Sequence, residues 1–116
     1  MSRTKGASGE REVVRLATHC GLSATRTAPL QTNSHQEYPP GDIELTNFPT
    51  LHCEIKRDER LSVDAMVRQA KNDAAKATRM TRVPVVFWRR NRGEWRADVP
   101  LSWLFHVLRL TKRPKW

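Results

Sequence analysis

The stretch from Gly41 to Lys56 constrains this chain more than any other part of it. Its second half, Leu51-His52-Cys53-Glu54-Ile55-Lys56, has the alternation of a strand. Side chains of a strand point to opposite faces in turn, so Leu51, Cys53 and Ile55 share one face while Glu54 and Lys56 share the other. An acid and an ammonium are thereby set side by side on a polar face. The preceding residues, Asp42-Ile43-Glu44-Leu45, read as a neighbouring strand of a hairpin, turned at residues 46–50 where Asn47 and Pro49 break any strand. In that hairpin Ile43 and Leu45 join the core and Asp42 falls on the side of Glu54. Two carboxylates so placed can hold a hard divalent cation such as magnesium, which takes oxygen ligands and keeps several waters. Lys56 then lies beside a phosphate under attack. The plain alternative is a solvated pair on a half-exposed strand, worth under ~1 kcal/mol.

The flanking sequence favours chemistry over decoration. Lys5-Gly6-Ala7-Ser8-Gly9-Glu10-Arg11-Glu12-Val13-Val14 opens an amphipathic helix with an acid in its first turns. The chain carries 21 Lys and Arg against 12 Asp and Glu, a formal net charge of +9, which attracts DNA, RNA or an anionic membrane. Membrane is the weakest of the three. No apolar run approaches the ~20 residues needed to span a bilayer, and Met1-Ser2-Arg3-Thr4-Lys5 lacks the apolar region of a signal peptide. A cytoplasmic protein is expected. Cys20 and Cys53 give no disulfide framework and read as reduced, buried thiols. The 116 residues suit one domain, with 111–116 as a basic tail.

Five segments together carry a family resemblance: Lys5-Gly6 with Glu10-Arg11-Glu12; Arg26; Gly41-Asp42-Ile43; Leu51 to Lys56; and Val83-Pro84-Val85-Val86-Phe87 leading to Glu94-Trp95-Arg96. In these the chain resembles the archaeal-type Holliday junction resolvases, a branch of the PD-(D/E)xK nuclease superfamily. The resemblance covers most of the chain. It implies an α/β, restriction-endonuclease-like domain with a mixed central β-sheet flanked by α-helices. It implies that Glu10, Asp42 and Glu54 form an acidic metal site with the Ile55 carbonyl as a further ligand, that Lys56 is the catalytic lysine, and that Arg11 contacts phosphate. Magnesium is the implied cofactor, with manganese able to substitute and no small-molecule cofactor. The implied partners are branched DNA and a second copy of the chain, and Lys5, Arg26 and Arg57 join Arg11 as DNA-binding residues. One departure is that Pro39-Pro40 is followed by Gly41, so the expected proline is displaced from the aspartate. Another is the long polar loop over residues 27–40.

The rest of the chain is read from periodicity. A first helix is expected over residues 8–19, with Val13, Val14, Leu16 and Ala17 inward and Gly21 as its stop. Residues 22–26 read as an edge strand. In the second helix Ser62 is the N-cap and Val63, Met66, Val67, Ala70, Ala74 and Ala77 face the sheet, leaving Arg68, Lys71, Lys76 and Arg79 outward to meet a phosphate backbone or plain solvent. Gln69 lies on the flank of that helix. Nucleases of this superfamily often carry a glutamine there, but the companion tyrosine position four residues on is Asp73. Residues 83–89 are apolar on both faces, as a central or interface strand would be, and Asn91-Arg92-Gly93 turns the chain into a strand over 94–98. The Arg89, Arg90 and Arg92 cluster at that turn is a candidate phosphate contact. Pro100 starts a last helix with Leu101, Leu104, Phe105 and Leu108 inward.

His52 shares the face of Glu54 and can line the site, although a lone histidine on a strand is more often a packing residue. His35, in the polar loop, is an accessory candidate. Glu12 and Glu44 compete for the metal. The reading that follows is a magnesium-dependent endonuclease that resolves four-way DNA junctions by paired cuts. Such paired cutting needs two sites across a two-fold axis, and Trp88, Trp103 and Phe105 offer apolar surface for a homodimer. The rivals are another nuclease of the superfamily acting on duplex or flapped DNA, and a non-catalytic DNA-binding protein on the same scaffold.

Overall fold

The computed structural model describes residues 3–27, 41–60, 62–77 and 81–111, apart from the side chains of 3–5. In chain order its elements are α1 (Arg3–His19), β1 (Ala24–Arg26), β2 (Ile43–Leu45), β3 (Leu51–Arg57), α2 (Val63–Ala74), β4 (Val83–Arg89), β5 (Arg96–Asp98) and α3 (Leu101–Leu110). The double-sided apolar pattern of β4 decides the layering. β4 is the middle strand of a mixed sheet, parallel to β3 from Leu51↔Val83 to Arg57↔Arg89 and antiparallel to β5 from Val86↔Asp98 to Trp88↔Arg96. Val85 and Val86, at 2 % and 1 % exposure, close two different cores. Val85 packs with Val13 of α1, Ile43, Cys53 and Ile55, and Val86 packs with Met66 and Ala70 of α2. Helices thus cover both faces.

Local signals mark several of the expected boundaries. The Ser62 hydroxyl accepts from Ala65 N–H at 3.3 Å and caps α2. Gly21 adopts φ +88, with its own N–H on Thr18 O and that of Leu22 on Ala17 O, a Schellman ending of α1. α1 nevertheless begins earlier than residue 8. Arg92, at φ 62, and Gly93, whose N–H reaches Arg90 O, turn β4 towards β5, which starts at Arg96 rather than at residue 94.

Four expectations are corrected. β2 and β3 do not form a hairpin ladder: β2 pairs antiparallel with β1, from Ala24↔Leu45 to Arg26↔Ile43, and touches β3 through an isolated Gly41↔Cys53 bridge. β1 takes one edge of β2, and on the other side the ladder to β3 goes no further than Gly41, with Asp42 N–H bonded to Cys53 O. Leu16 is 45 % exposed, because α1 meets the sheet through Val13, Val14 and Ala17. The stripe Leu101, Leu104, Phe105 and Leu108 of α3 is 36 to 60 % exposed, and it is Trp103 that packs on the core. Periodicity shows that a helix has an apolar face but not what covers it. Cys20 is exposed, and only Cys53 is buried.

Candidate active site

The site begins with a glycine that nothing can replace cheaply. Gly41 sits at φ +97 against the Cys53 backbone, where a Cβ would collide with the Cys53 carbonyl. That close passage lets Asp42 N–H donate to Cys53 O at 2.7 Å, while Asp42 Oδ2 accepts from Ile55 N–H at 2.8 Å. In a strand the N–H and C=O of one residue point to the same side, so the Ile55 carbonyl also opens towards Asp42. Thr27, 4 % exposed, pins the same corner: its N–H donates to Asp42 O at 3.0 Å and its hydroxyl to Gly41 O.

Asp42 and Glu54 lie near enough for each carboxyl to act on the titration of the other. Burial, and then the charge of Glu54, push the Asp42 carboxyl up to about 7, with a smaller push from Glu10. Burial works against the charge of Glu54 too, but hydrogen bonds from His52 and Asp42 and the nearby charges of His52 and Lys56 outweigh it, and Glu54 is held below its usual range. Of the two acids it is therefore Asp42 that keeps its proton up to about 7. A pair of buried carboxylates in that condition is what a cation would relieve. The donor set fits a hard divalent ion: Asp42 and Glu54, the Ile55 carbonyl beside them, and Glu10, whose charge Asp42 feels.

Glu10 arrives from α1 and is steadied by Arg26 of β1, whose Nε–H donates to Oε1 at 2.9 Å. Lys56 follows Glu54 on the same face of β3, in register with Trp88 of β4, and is half-buried. On this face α2 adds Asp73, whose carboxylate lies within 4.8 Å of ligand atoms of His52 and Glu54.

The sequence matches the family described as "Phage putative PDDEXK endonuclease" over residues 1–113. The chain belongs to this family. The fold is similar to that of Hjc, a Holliday junction resolvase from the archaeal hyperthermophile Archaeoglobus fulgidus, with a TM-score of 0.54 and 26 % sequence identity, over 82 % of this chain and 72 % of that one. No curated protein matches the sequence. The chain is thus a PDDEXK-family nuclease with a restriction-endonuclease-like fold.

In this PDDEXK chain the remaining residues singled out from sequence divide by location. Arg57 donates to Ser8 Oγ at 3.1 Å and to Glu12 at 3.0 Å. Glu12, read as a competitor for the metal, instead accepts from Arg57, Arg89 and the indole N–H of Trp95 at 3.0 to 3.1 Å. Arg89 also lies over the Trp95 ring, and Arg90 over the Trp88 ring, at 5.5 and 5.3 Å. Arg11 on α1 and Arg68, Gln69 and Lys71 on α2 are exposed. Glu44 is half-buried on β2 opposite Thr25. The Lys5 side chain, His35 and Arg79 lie outside the described residues. Sequence reasoning weighed Asp73 only as a missing tyrosine. Its spacing of four from Gln69 was the available signal, since such residues share a helix face.

Proposed function

We propose that this nuclease resolves four-way DNA junctions as a homodimer, by divalent-cation-dependent hydrolysis of two phosphodiesters in symmetric positions. The observation that carries the reading is the Asp42–Glu54 pair, each carboxyl shifted by the other, with Lys56 next on the same face. The likeness to a Holliday junction resolvase supports the choice of substrate.

A bound divalent cation, magnesium or manganese, supplies Lewis acidity to the phosphodiester. Asp42, Glu54, Glu10 and the Ile55 carbonyl would hold it, and the proton that Asp42 keeps without a cation would pass to solvent. The Lys56 ammonium lies beside the scissile phosphate, orients the incoming water and offsets the charge that builds on the non-bridging oxygens. Water oxygen bonds to phosphorus as the in-line P–O bond breaks, the water giving up a proton to solvent and the leaving oxygen taking one from it. Arg11, Arg68 and Lys71 meet the DNA backbone, and Lys5, Arg79, Gln69 and His35 belong to the same reading. Arg26 and Arg57 serve DNA only through nitrogens not already bonded to Glu10 and Glu12. The protein works in the cytoplasm, with the DNA.

A two-fold pair needs an apolar surface, and the exposed α3 stripe supplies it. Phe105, at 60 % exposure, stands there with Leu101 and Leu108, whereas Trp88 and Trp103 pack on their own cores. Incubation with a four-way junction, a linear duplex and a flap, each with magnesium or with chelator, tests the whole. Paired cuts on the junction are expected, from a protein that sediments as a dimer, and none in chelator. Equal cleavage of duplex, or a strictly monomeric protein, moves the reading to a general duplex or flap nuclease.

A further inference from the structure

Glu54 stands between two sets of donors. On one hand is Asp42, which in turn feels the charge of Glu10. On the other are His52, on the same face of β3, and Asp73, brought over by α2, and the ligand atoms of His52, Glu54 and Asp73 all lie within 4.8 Å of one another. His52 makes this more than a patch of acids. Its side chain is 5 % exposed, its Nε2 is aimed at Glu54 Oε1 2.8 Å away, and its Nδ1 has no hydrogen-bond partner among the described residues. Buried polar atoms are nearly always satisfied, and one that is not asks for an explanation. Asp73 is already paired with the Lys76 ammonium, Nζ to Oδ1 at 3.2 Å, and an ion at this corner would take over that carboxylate.

The chemistry of the two sets differs. The Asp42 set offers oxygen alone, which suits magnesium. The His52 set mixes one imidazole nitrogen with two carboxylates, a combination that favours borderline first-row ions, with zinc foremost, over magnesium. We propose that His52, Glu54 and Asp73 form a second cation site, selective for a zinc-type divalent ion, with Glu54 as the carboxylate common to both positions. An ion there ties α2 to β3 at the edge of the cleavage site. The proposal rests on the nuclease reading for the first cation, while its own support and its test concern metal binding and not cleavage.

The test is a titration of the metal-free, full-length protein with zinc, followed by calorimetry in excess magnesium, and with cobalt(II) as an absorbing stand-in. Wild type should bind zinc in the presence of magnesium. His52→Gln and Asp73→Asn should each weaken that binding by at least about tenfold, the loss that even an outer-shell change can produce. Glu10→Gln should leave it in place. The cobalt absorption should change in His52→Gln. Because Asp73 is partly exposed on α2, Asp73→Asn decides the matter alone if the His52 variant does not fold, as judged by its melting curve. Unaltered zinc affinity in Asp73→Asn, or displacement of zinc by magnesium one for one, overturns the proposal. So does an equal loss in Glu10→Gln, which would mean a single shared site. A failed nuclease reading would show as absent cleavage with this titration intact, and a failed second site as the reverse.

Discussion

Arg26 donates its Nε hydrogen to Glu10 across the interval between β1 and α1, with the two side chains only 23 % and 15 % exposed. A guanidinium that reads in the sequence as a DNA contact thus steadies an acid of the proposed metal site. Arg26→Gln should lower cleavage about 10- to 100-fold, the range for residues that orient a metal ligand, and should raise the magnesium concentration needed for half-maximal rate. A magnesium titration run beside a DNA-binding assay checks this. Weakened DNA affinity with an unchanged metal requirement would return Arg26 to the DNA.

Asp42→Asn and Glu54→Gln should each abolish cleavage while DNA binding persists or tightens, because a repelling charge is removed from the path of the phosphate. Glu10→Gln should be severely impaired. Gel assays of binding and cutting on the same junction separate the two effects, and full activity of either of the first two variants would sink the site.

The raised pKa of Asp42 has a stability consequence with a definite sign. Between its ordinary value of 3.8 and about 7, the folded, metal-free protein holds a proton that the unfolded chain has released. Stability from this group is present in full below the lower value and is lost as pH rises through the upper one. Glu54 is lowered and runs the other way, its share being lost as pH falls below the usual carboxylate range. The Tm of metal-free wild type should therefore decline relative to Asp42→Asn as pH rises across the Asp42 window. Magnesium should reverse the decline and release a proton as it binds, measurable by calorimetry in buffers of different ionisation enthalpy.

Glu12 gathers Arg57 of β3, Arg89 of β4 and Trp95 just before β5, so its removal takes an acceptor from three donors. Glu12→Ala should cost on the order of 1–3 kcal/mol in urea unfolding, the penalty for leaving partly buried donors without an acceptor. Burial opposes the charge of this carboxyl, but the bonds from Arg89 and Trp95 and the charges of Arg89 and Arg57 prevail and hold it low. Its contribution should thus be present at neutral pH and fade only as the acid range is entered.

Arg68 and Lys71 are exposed on α2. Replacing both with Gln should reduce the slope of log affinity against log salt by about 0.9 for each phosphate that is no longer neutralised. An unchanged slope would mean that this face of α2 looks away from the DNA.

Much of the fold and of the site was legible in the chain. Alternation in residues 51–56 placed Glu54 and Lys56 on one face, and Ser62 and Gly21 announced helix ends, because each of these signals is local. Less local facts were not. The partner of Ile43 and Glu44 is β1 and not β3, a choice made by tertiary pairing that strand periodicity does not encode. Arg26 and Arg57 read as DNA contacts through the family resemblance and Arg89 through the turn cluster, since a sequence shows charge but not that Glu10 and Glu12 meet these guanidiniums across the fold. The α3 stripe was assigned to the core for a similar reason: a pattern reports hydrophobicity and says nothing about which neighbour meets it.

Gly41 carries no chemistry, yet its backbone passes so close to Cys53 that a methyl group there would shift the chain and Asp42 with it. A relative that kept Glu10, Asp42, Glu54 and Lys56 but had alanine at this position would still display every lettered residue of the nuclease signature while lacking the geometry they require. Searches that score only the charged residues would count such a protein as active, and the glycine is the letter that tells the two apart.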